Sequence, residues 1–90
     1  MSIDDWRTQI DDIDRQLVPL LNERARCVIE IARIKKQHNM NVFDPEREQN
    51  VFRNVENENR GPFDSESLVR IFERIIEECR RIERHVTGEK

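Results

Sequence analysis

The chain has 90 residues, of which 39% are charged and only 36% hydrophobic, with a formal net charge of −3 and an isoelectric point near 5.4. This length allows one domain at most, and the acidic balance argues against a nucleic-acid partner. No apolar run is long enough to span a membrane and no leader with a cleavage site is recognisable, so we expect a cytoplasmic protein without a membrane partner.

The first predicted element is a long amphipathic helix from about Asp4 to about Gln37. Its apolar residues recur at intervals of three, four and seven, which places them on one face. The two main rows are Ile3, Ile10, Leu17, Arg24, Ile31 and Trp6, Ile13, Leu20, Cys27, Ile34. Such a helix is roughly 50 Å long, whereas a compact chain of this length is roughly 30 Å across. Its distal apolar positions need a second chain, so we predict an intertwined homodimer.

Pro19 lies inside this helix, where it removes a hydrogen bond and crowds a carbonyl at a cost of about 3 kcal/mol. Either the helix kinks there, or two helices meet at Leu17 and Val18. We favour a kink, because the sevenfold rows keep their phase across the proline.

A short second helix and a third helix of medium length are predicted to follow. Asp44 suits the cap and Pro45 the first position of the second helix, which fades near Asn59. The segment 60–62, Arg-Gly-Pro, is the clearest break, and Asp64 caps the third helix. The third helix has an apolar stripe formed by Leu68, Phe72, Ile75, Ile76, Cys79, Ile82 and Val86.

Together these elements predict an all-α fold in a single domain over residues 1–90, with a core at about 3–86 and a frayed tail at 87–90. Cys27 and Cys79 each lie in an apolar stripe and are interpreted as buried thiols, not as a disulfide or a metal site. The sequence contains no cofactor motif, no phosphate loop and no spacing that supports a nucleophilic pair, so we expect no cofactor.

Three cations lie in or beside the apolar stripe of the first helix: Arg7, Arg24 and Lys35. A buried cation is costly unless an anion meets it, so this pattern indicates a negatively charged ligand. Arg24 and Lys35 lie roughly 16 Å apart along the axis, but Arg7 precedes Arg24 by about 25 Å, too far to share a small ligand within one chain. An antiparallel partner helix could bring its Arg7 to Arg24, which would place a composite site at a dimer interface. The alternative is that long cationic stems run along apolar surface with their head groups in water.

Further charges occur on the other two helices. Capping alone explains Asp44, and a solvated surface pair is a sufficient explanation for Arg47 and Glu48. Glu83 lies in the apolar stripe of the third helix, so its carboxyl group is either paired with a cation or protonated. The remaining arginines of this region are interpreted as a solvated face without function: Arg80, Arg81 and Arg84.

These residues, in this order, resemble the small all-α class of chorismate mutases. The resemblance spans about residues 3–86, and its most specific part is the Asp-x-x-Arg-Glu motif at 44–48 after the Arg…Lys helix. The other matching stretches are Trp6-Arg7 with Ile10, Ile13 and Asp14, then 20–24, 31–35 and 72–79. The resemblance implies interlocked three-helix protomers that convert chorismate to prephenate, the branch step toward phenylalanine and tyrosine.

By this resemblance, Arg24 and the partner's Arg7 would hold the two carboxylates of the dicarboxylate substrate. Lys35 would reach the ether oxygen and one carboxylate. Cys79 occupies a position where the family often has a serine beside a carboxylate.

The resemblance also assigns the opposite end of the substrate. Glu48, with the backbone near Asp44, would hold the ring hydroxyl, and Arg47 would support that end. Glu83 replaces the glutamine of many relatives and can donate to the ether oxygen only when protonated. Burial would raise its pKa and Lys35 would lower it, and the sequence leaves that balance open.

The mechanism implied is non-covalent, because opposed cations hold the substrate in a compact conformer while donors favour the charge on the ether oxygen. Two alternatives stay open. One is an isochorismate-pyruvate lyase with the same fold. The other is a non-catalytic regulatory or dimerisation module, fused to or in complex with an aromatic-pathway synthase.

Overall fold

The computed structural model describes residues 1–88, which form three α-helices and no strand. Helix α1 spans Ile3–Gln37, α2 spans Pro45–Glu58 and α3 spans Ser65–Thr87. Helix α3 packs against both α1 and α2. The predicted all-α fold, with a long, a short and a medium helix, is confirmed.

Side chains that cap the helices explain where each helix begins. The Asp44 carboxylate accepts from the backbone N–H of the third residue of α2 at 3.0 Å, and Asp64 does the same for α3 at 2.7 Å. At the start of α1, Ser2 and Asp5 form a reciprocal capping box that the sequence analysis did not identify. The starts predicted from Asp44 and Asp64 are confirmed.

Helix α1 is one continuous element of 35 residues that runs through Pro19. The alternative of two helices meeting at Leu17 and Val18 is therefore wrong, while the kink stays a prediction. The length of α1 sets the shape of the chain, which extends 55 Å by 24 Å by 19 Å. Its radius of gyration is 16.2 Å, against about 12 Å for a compact chain of this length.

The tail predicted to fray from Thr87 onward is partly ordered, which corrects that expectation. Thr87 is the last residue of α3 and is buried, and its hydroxyl donates to the Glu83 carbonyl at 2.9 Å. Lys36 Nζ donates to the Thr87 carbonyl at 2.8 Å. These bonds satisfy groups that a helix end usually leaves open, and Gly88 then closes α3 in the left-handed conformation. The rest of the predicted tail, 89–90, lies outside the described residues.

The chain buries very little apolar surface against itself. Its buried hydrophobic residues are Ala32, Ile76 and Cys79, where α1 meets α3. The stripe of α1 is between 43% and 69% exposed at Ile3, Trp6, Ile10, Ile13, Leu17, Leu20, Leu21, Ile31 and Ile34. Cys27 is exposed too, so its prediction as a buried thiol is wrong for the single chain. Within residues 1–88, none of the helices combines the length and the apolar content needed to cross a membrane.

Candidate active site

A cavity of about 520 Å³ lies between the second half of α1, the start of α2 and the middle of α3. Every predicted site residue except Arg7 lines it, namely Arg24, Lys35, Asp44, Arg47, Glu48, Cys79 and Glu83. Val28, Ile31 and Ile76 supply part of its apolar wall. A cavity of this size with a few convergent polar groups is typical of a site for a small organic ligand.

Arg24 is held at the wall between α1 and α3 by a contact with Cys79. Arg24 Nη1 lies 3.4 Å from the Cys79 sulfur, which is a weak acceptor. Burial raises the pKa of the Cys79 thiol, against the opposing positive charge of Arg24, so the sulfur stays protonated. The guanidinium therefore keeps its full charge and most of its N–H donors for another anion.

Lys35 projects from α1 toward the α1–α2 connection, and its side chain is only 18% exposed. Its Nζ donates to the Val42 carbonyl at 3.4 Å and lies 3.9 Å from an oxygen of Asp44. Asp44 also caps α2, so one carboxylate organises both the helix start and the lysine. An ammonium group has three donors, and these long contacts leave Lys35 able to donate to a ligand.

Glu48 lies on the first turn of α2 and is only 18% exposed. Arg80 of α3 donates from Nε to Glu48 Oε2 at 3.0 Å, and from Nη2 to Glu48 Oε1. The Arg80 guanidinium also lies 5.2 Å from the centre of the Phe43 ring, within range of a cation–π interaction. The interpretation of Glu48 as a solvated surface residue is therefore wrong.

The interpretation of Arg80 as part of a solvated face is also wrong, because Arg80 is only 35% exposed and lines the cavity. Arg81 fits that interpretation, because it is 70% exposed and forms a surface ion pair with Glu78. Arg84 is exposed too, although it also lines the cavity. The missed signal was spacing, since Arg80 follows the buried Ile76 by four residues and so shares its face of α3.

Glu83 enters the cavity from α3, and burial raises the pKa of its carboxyl group. The charges of Lys35, Arg80 and Arg84 lower that pKa, while the charge of Glu48 raises it. The net direction is upward, which answers the question that the sequence left open. A carboxyl group that keeps its proton can donate a hydrogen bond, whereas an ionised one only accepts.

Arg7 is not brought to the cavity within one chain. Its side chain is 72% exposed, and its Nη1 lies 3.8 Å from an oxygen of Asp4 one turn away. A second, more open cavity of about 440 Å³ adjoins the first, with Arg24 and Arg47 lining both. Its apolar wall comes from α2 and α3, including Val55 and Phe72.

The fold and the site define an all-α protein with a largely cationic cavity for a small anion. The family profile for chorismate mutase type II matches residues 6–84. The form II structure of chorismate mutase from Thermus thermophilus is similar with a TM-score of 0.88 and 32% identity, over 90% of this chain and 92% of that chain. The chain therefore belongs to the type II chorismate mutase family.

Two curated relatives extend this comparison. The bifunctional chorismate mutase/prephenate dehydratase of Stutzerimonas stutzeri is 37% identical over 82 residues, which are 86% of this chain and 22% of that protein. The chorismate mutase of Methanocaldococcus jannaschii is 27% identical over 84 residues, which are 92% of this chain and 85% of that protein. The chain thus spans 22% of the length of the bifunctional relative and most of the length of the monofunctional one.

Proposed function

We propose that this chain converts chorismate to prephenate by an intramolecular rearrangement. The observation that carries the proposal is the meeting of Lys35, Glu48 and Glu83, one from each helix, in a single cavity. A cation, a carboxylate fixed by an ion pair and a carboxyl group with a raised pKa supply the donors and acceptors that this reaction needs. The family membership and the printed names of the relatives support the same activity.

The substrate carboxylates would be held by Arg24 and by the partner's Arg7, which restricts the substrate to its compact reactive conformer. Glu48 would accept from the ring hydroxyl, beside the backbone of Asp44 and with Arg47 supporting that end. No nucleophile is required, because one carbon–oxygen bond breaks while one carbon–carbon bond forms.

Negative charge develops on the ether oxygen as the carbon–oxygen bond breaks. Lys35 would donate to that oxygen from one side, and Glu83, while protonated, would donate as well. Donors already in place stabilise the transition state without reorganising during the reaction.

The proposal includes a homodimer, because the exposed stripe of α1 and the distant Arg7 both need a second chain. It also includes a cytoplasmic location, and association with another enzyme of aromatic biosynthesis stays an expectation.

Turnover of chorismate, followed by its loss of absorbance, tests the activity. Lys35→Ala should lower kcat by about 100- to 1,000-fold, the usual effect of losing one preorganised donor. Arg33→Ala is the matched control, since Arg33 is on the same helix but exposed and paired with Glu30. Near-normal turnover in Lys35→Ala, with an unchanged circular dichroism spectrum, would count against the assignment.

The same assay separates the alternatives. A lyase would release pyruvate from isochorismate and leave chorismate untouched. A non-catalytic module would turn over neither compound, at acidic as well as neutral pH.

A further inference from the structure

The proposed mechanism gives no role to Arg80, although Arg80 makes the most extensive side-chain contact in the cavity. It binds both oxygens of Glu48 and lies over the ring of Phe43. We propose that Arg80 is a positioning residue, which fixes the Glu48 carboxylate in the orientation that accepts the hydroxyl group of the substrate ring. This inference rests on the proposed function and adds a residue that determines how the substrate is recognised.

The geometry of the ion pair supports this role. A guanidinium bound through Nε and Nη2 lies in the plane of the carboxylate and permits one orientation of that plane. Each carboxylate oxygen has two acceptor sites, so one site per oxygen remains for a ligand. Phe43, from the α1–α2 connection, supports the face of the guanidinium at 5.2 Å. Arg80 of α3, supported by Phe43 of the α1–α2 connection, thus holds this acceptor of α2 in place.

The charges around the cavity are a second reason to assign a positioning role to Arg80. The cavity contains two carboxyl groups that the mechanism uses in opposite ways, Glu48 as an acceptor and Glu83 as a donor. The charge of Glu48 raises the pKa of Glu83, and the cations Lys35, Arg80 and Arg84 lower it. Arg80 binds Glu48 directly, and its positive charge opposes the effect of Glu48 on the pKa of Glu83. Loss of Arg80 should therefore change both the orientation of Glu48 and the pKa of Glu83.

The first test compares Arg80→Ala with the wild type in steady-state turnover of chorismate. Loss of a charge-assisted contact should raise KM by about tenfold, with a smaller change in kcat. The decline of activity with rising pH should move to higher pH, because Glu83 loses one of the cations that lower its pKa. Arg81→Ala is the control and should leave both parameters unchanged, since Arg81 is exposed on the same turn of α3.

Arg80→Lys separates the charge of Arg80 from its geometry. A lysine keeps the positive charge but cannot bind both oxygens in one plane. We expect its pH profile to match the wild type while KM stays raised. This variant also provides a readout if Arg80→Ala proves too unstable to assay.

A double-mutant cycle with Glu48→Gln decides whether Arg80 acts through Glu48. If it does, Arg80→Ala should add less than about twofold to the KM of Glu48→Gln. If Arg80 attracts the dianion by itself, the full effect will persist in that background, and the inference is overturned. An unchanged or lowered KM in Arg80→Ala beside an active wild type overturns it too. A wild type without turnover would overturn the proposed function, and this inference with it.

Discussion

Glu48 and Glu83 illustrate how one cavity gives two carboxyl groups different properties. Glu48 accepts two hydrogen bonds from a guanidinium, which fix its orientation as an acceptor. Burial is the largest influence on Glu83 and raises its pKa, in spite of the opposing charges of Lys35, Arg80 and Arg84. Their different neighbours therefore give these two groups different roles in the proposed reaction.

The raised pKa of Glu83 leads to a prediction about pH. The carboxyl group can donate only below that pKa, so kcat of the wild type should fall as pH rises through it. Glu83→Gln carries an N–H donor at every pH, so its profile should be flatter and its activity higher than the wild type at pH values above the pKa of Glu83. Measuring kcat with saturating chorismate from about pH 5 to 8 tests this.

Glu77→Gln is the control for this experiment, because Glu77 is exposed on α3 and pairs with Arg74. Its profile should follow the wild type. If the profiles of Glu83→Gln and the wild type coincide, Glu83 is not the donor.

At the scale of the helices, Pro19 is the residue that most clearly lowers the stability of its own helix. It lies inside α1, where it cannot donate to the carbonyl of Arg15. Pro19→Ala restores that bond and should raise the free energy of unfolding by about 1–2 kcal/mol, since part of the gain of about 3 kcal/mol is lost to a more flexible unfolded chain. Urea denaturation at fixed protein concentration measures the change. Glu23→Ala, one turn further along the same exposed helix, should change it by less than about 0.5 kcal/mol.

An unchanged or lowered stability in Pro19→Ala would mean that the proline shapes α1 for a contact that a straight helix cannot make. Loss of activity together with a gain in stability would lead to the same conclusion.

The helices were predictable from the sequence because their signals are local. Asp44 with Pro45, and Asp64, act on backbone groups within one turn, so the ends they predict agree with the structure. The cations Arg24 and Lys35 were recognisable because they interrupt an apolar row.

Contacts between helices were less predictable. Arg80 lies on the border of the α3 stripe, and the packing of α3 against α2 decides whether it faces water or Glu48. The net direction of the Glu83 pKa also depends on burial in the folded chain. Spacing indicates the face of α3 on which Arg80 lies, but neither its pairing with Glu48 nor the burial of Glu83 is contained in a periodic pattern.

For the whole molecule, the exposed surface is the strongest argument for a second chain. The accessible surface of the chain is 7456 Å², whereas a compact protein of its mass exposes about 5,600 Å². The excess of roughly 1,900 Å² per chain is the amount that an obligate dimer buries. The exposed apolar stripe of α1 lies along its full length, so we expect it to supply most of the buried surface.

The composite site can be tested by mixing two inactive variants. Arg7→Ala and Lys35→Ala should each lose most activity as homodimers. After joint unfolding and refolding, about half of the dimers should contain one chain of each kind. In those dimers one site has both mutations and the other has none, because each site takes Lys35 from one chain and Arg7 from the other. The mixture should therefore regain about a quarter of wild-type activity.

Mixing Lys35→Ala with Arg24→Ala provides the control for that experiment. Both residues line the cavity of the same chain, so every site in a mixed dimer carries one mutation and no activity should return. Recovery in the first mixture but not in the second requires that Arg7 crosses to the other chain's cavity. If neither mixture recovers activity although sedimentation detects dimers, Arg7 does not belong to the partner's site. Its contact would then be limited to the surface ion pair with Asp4.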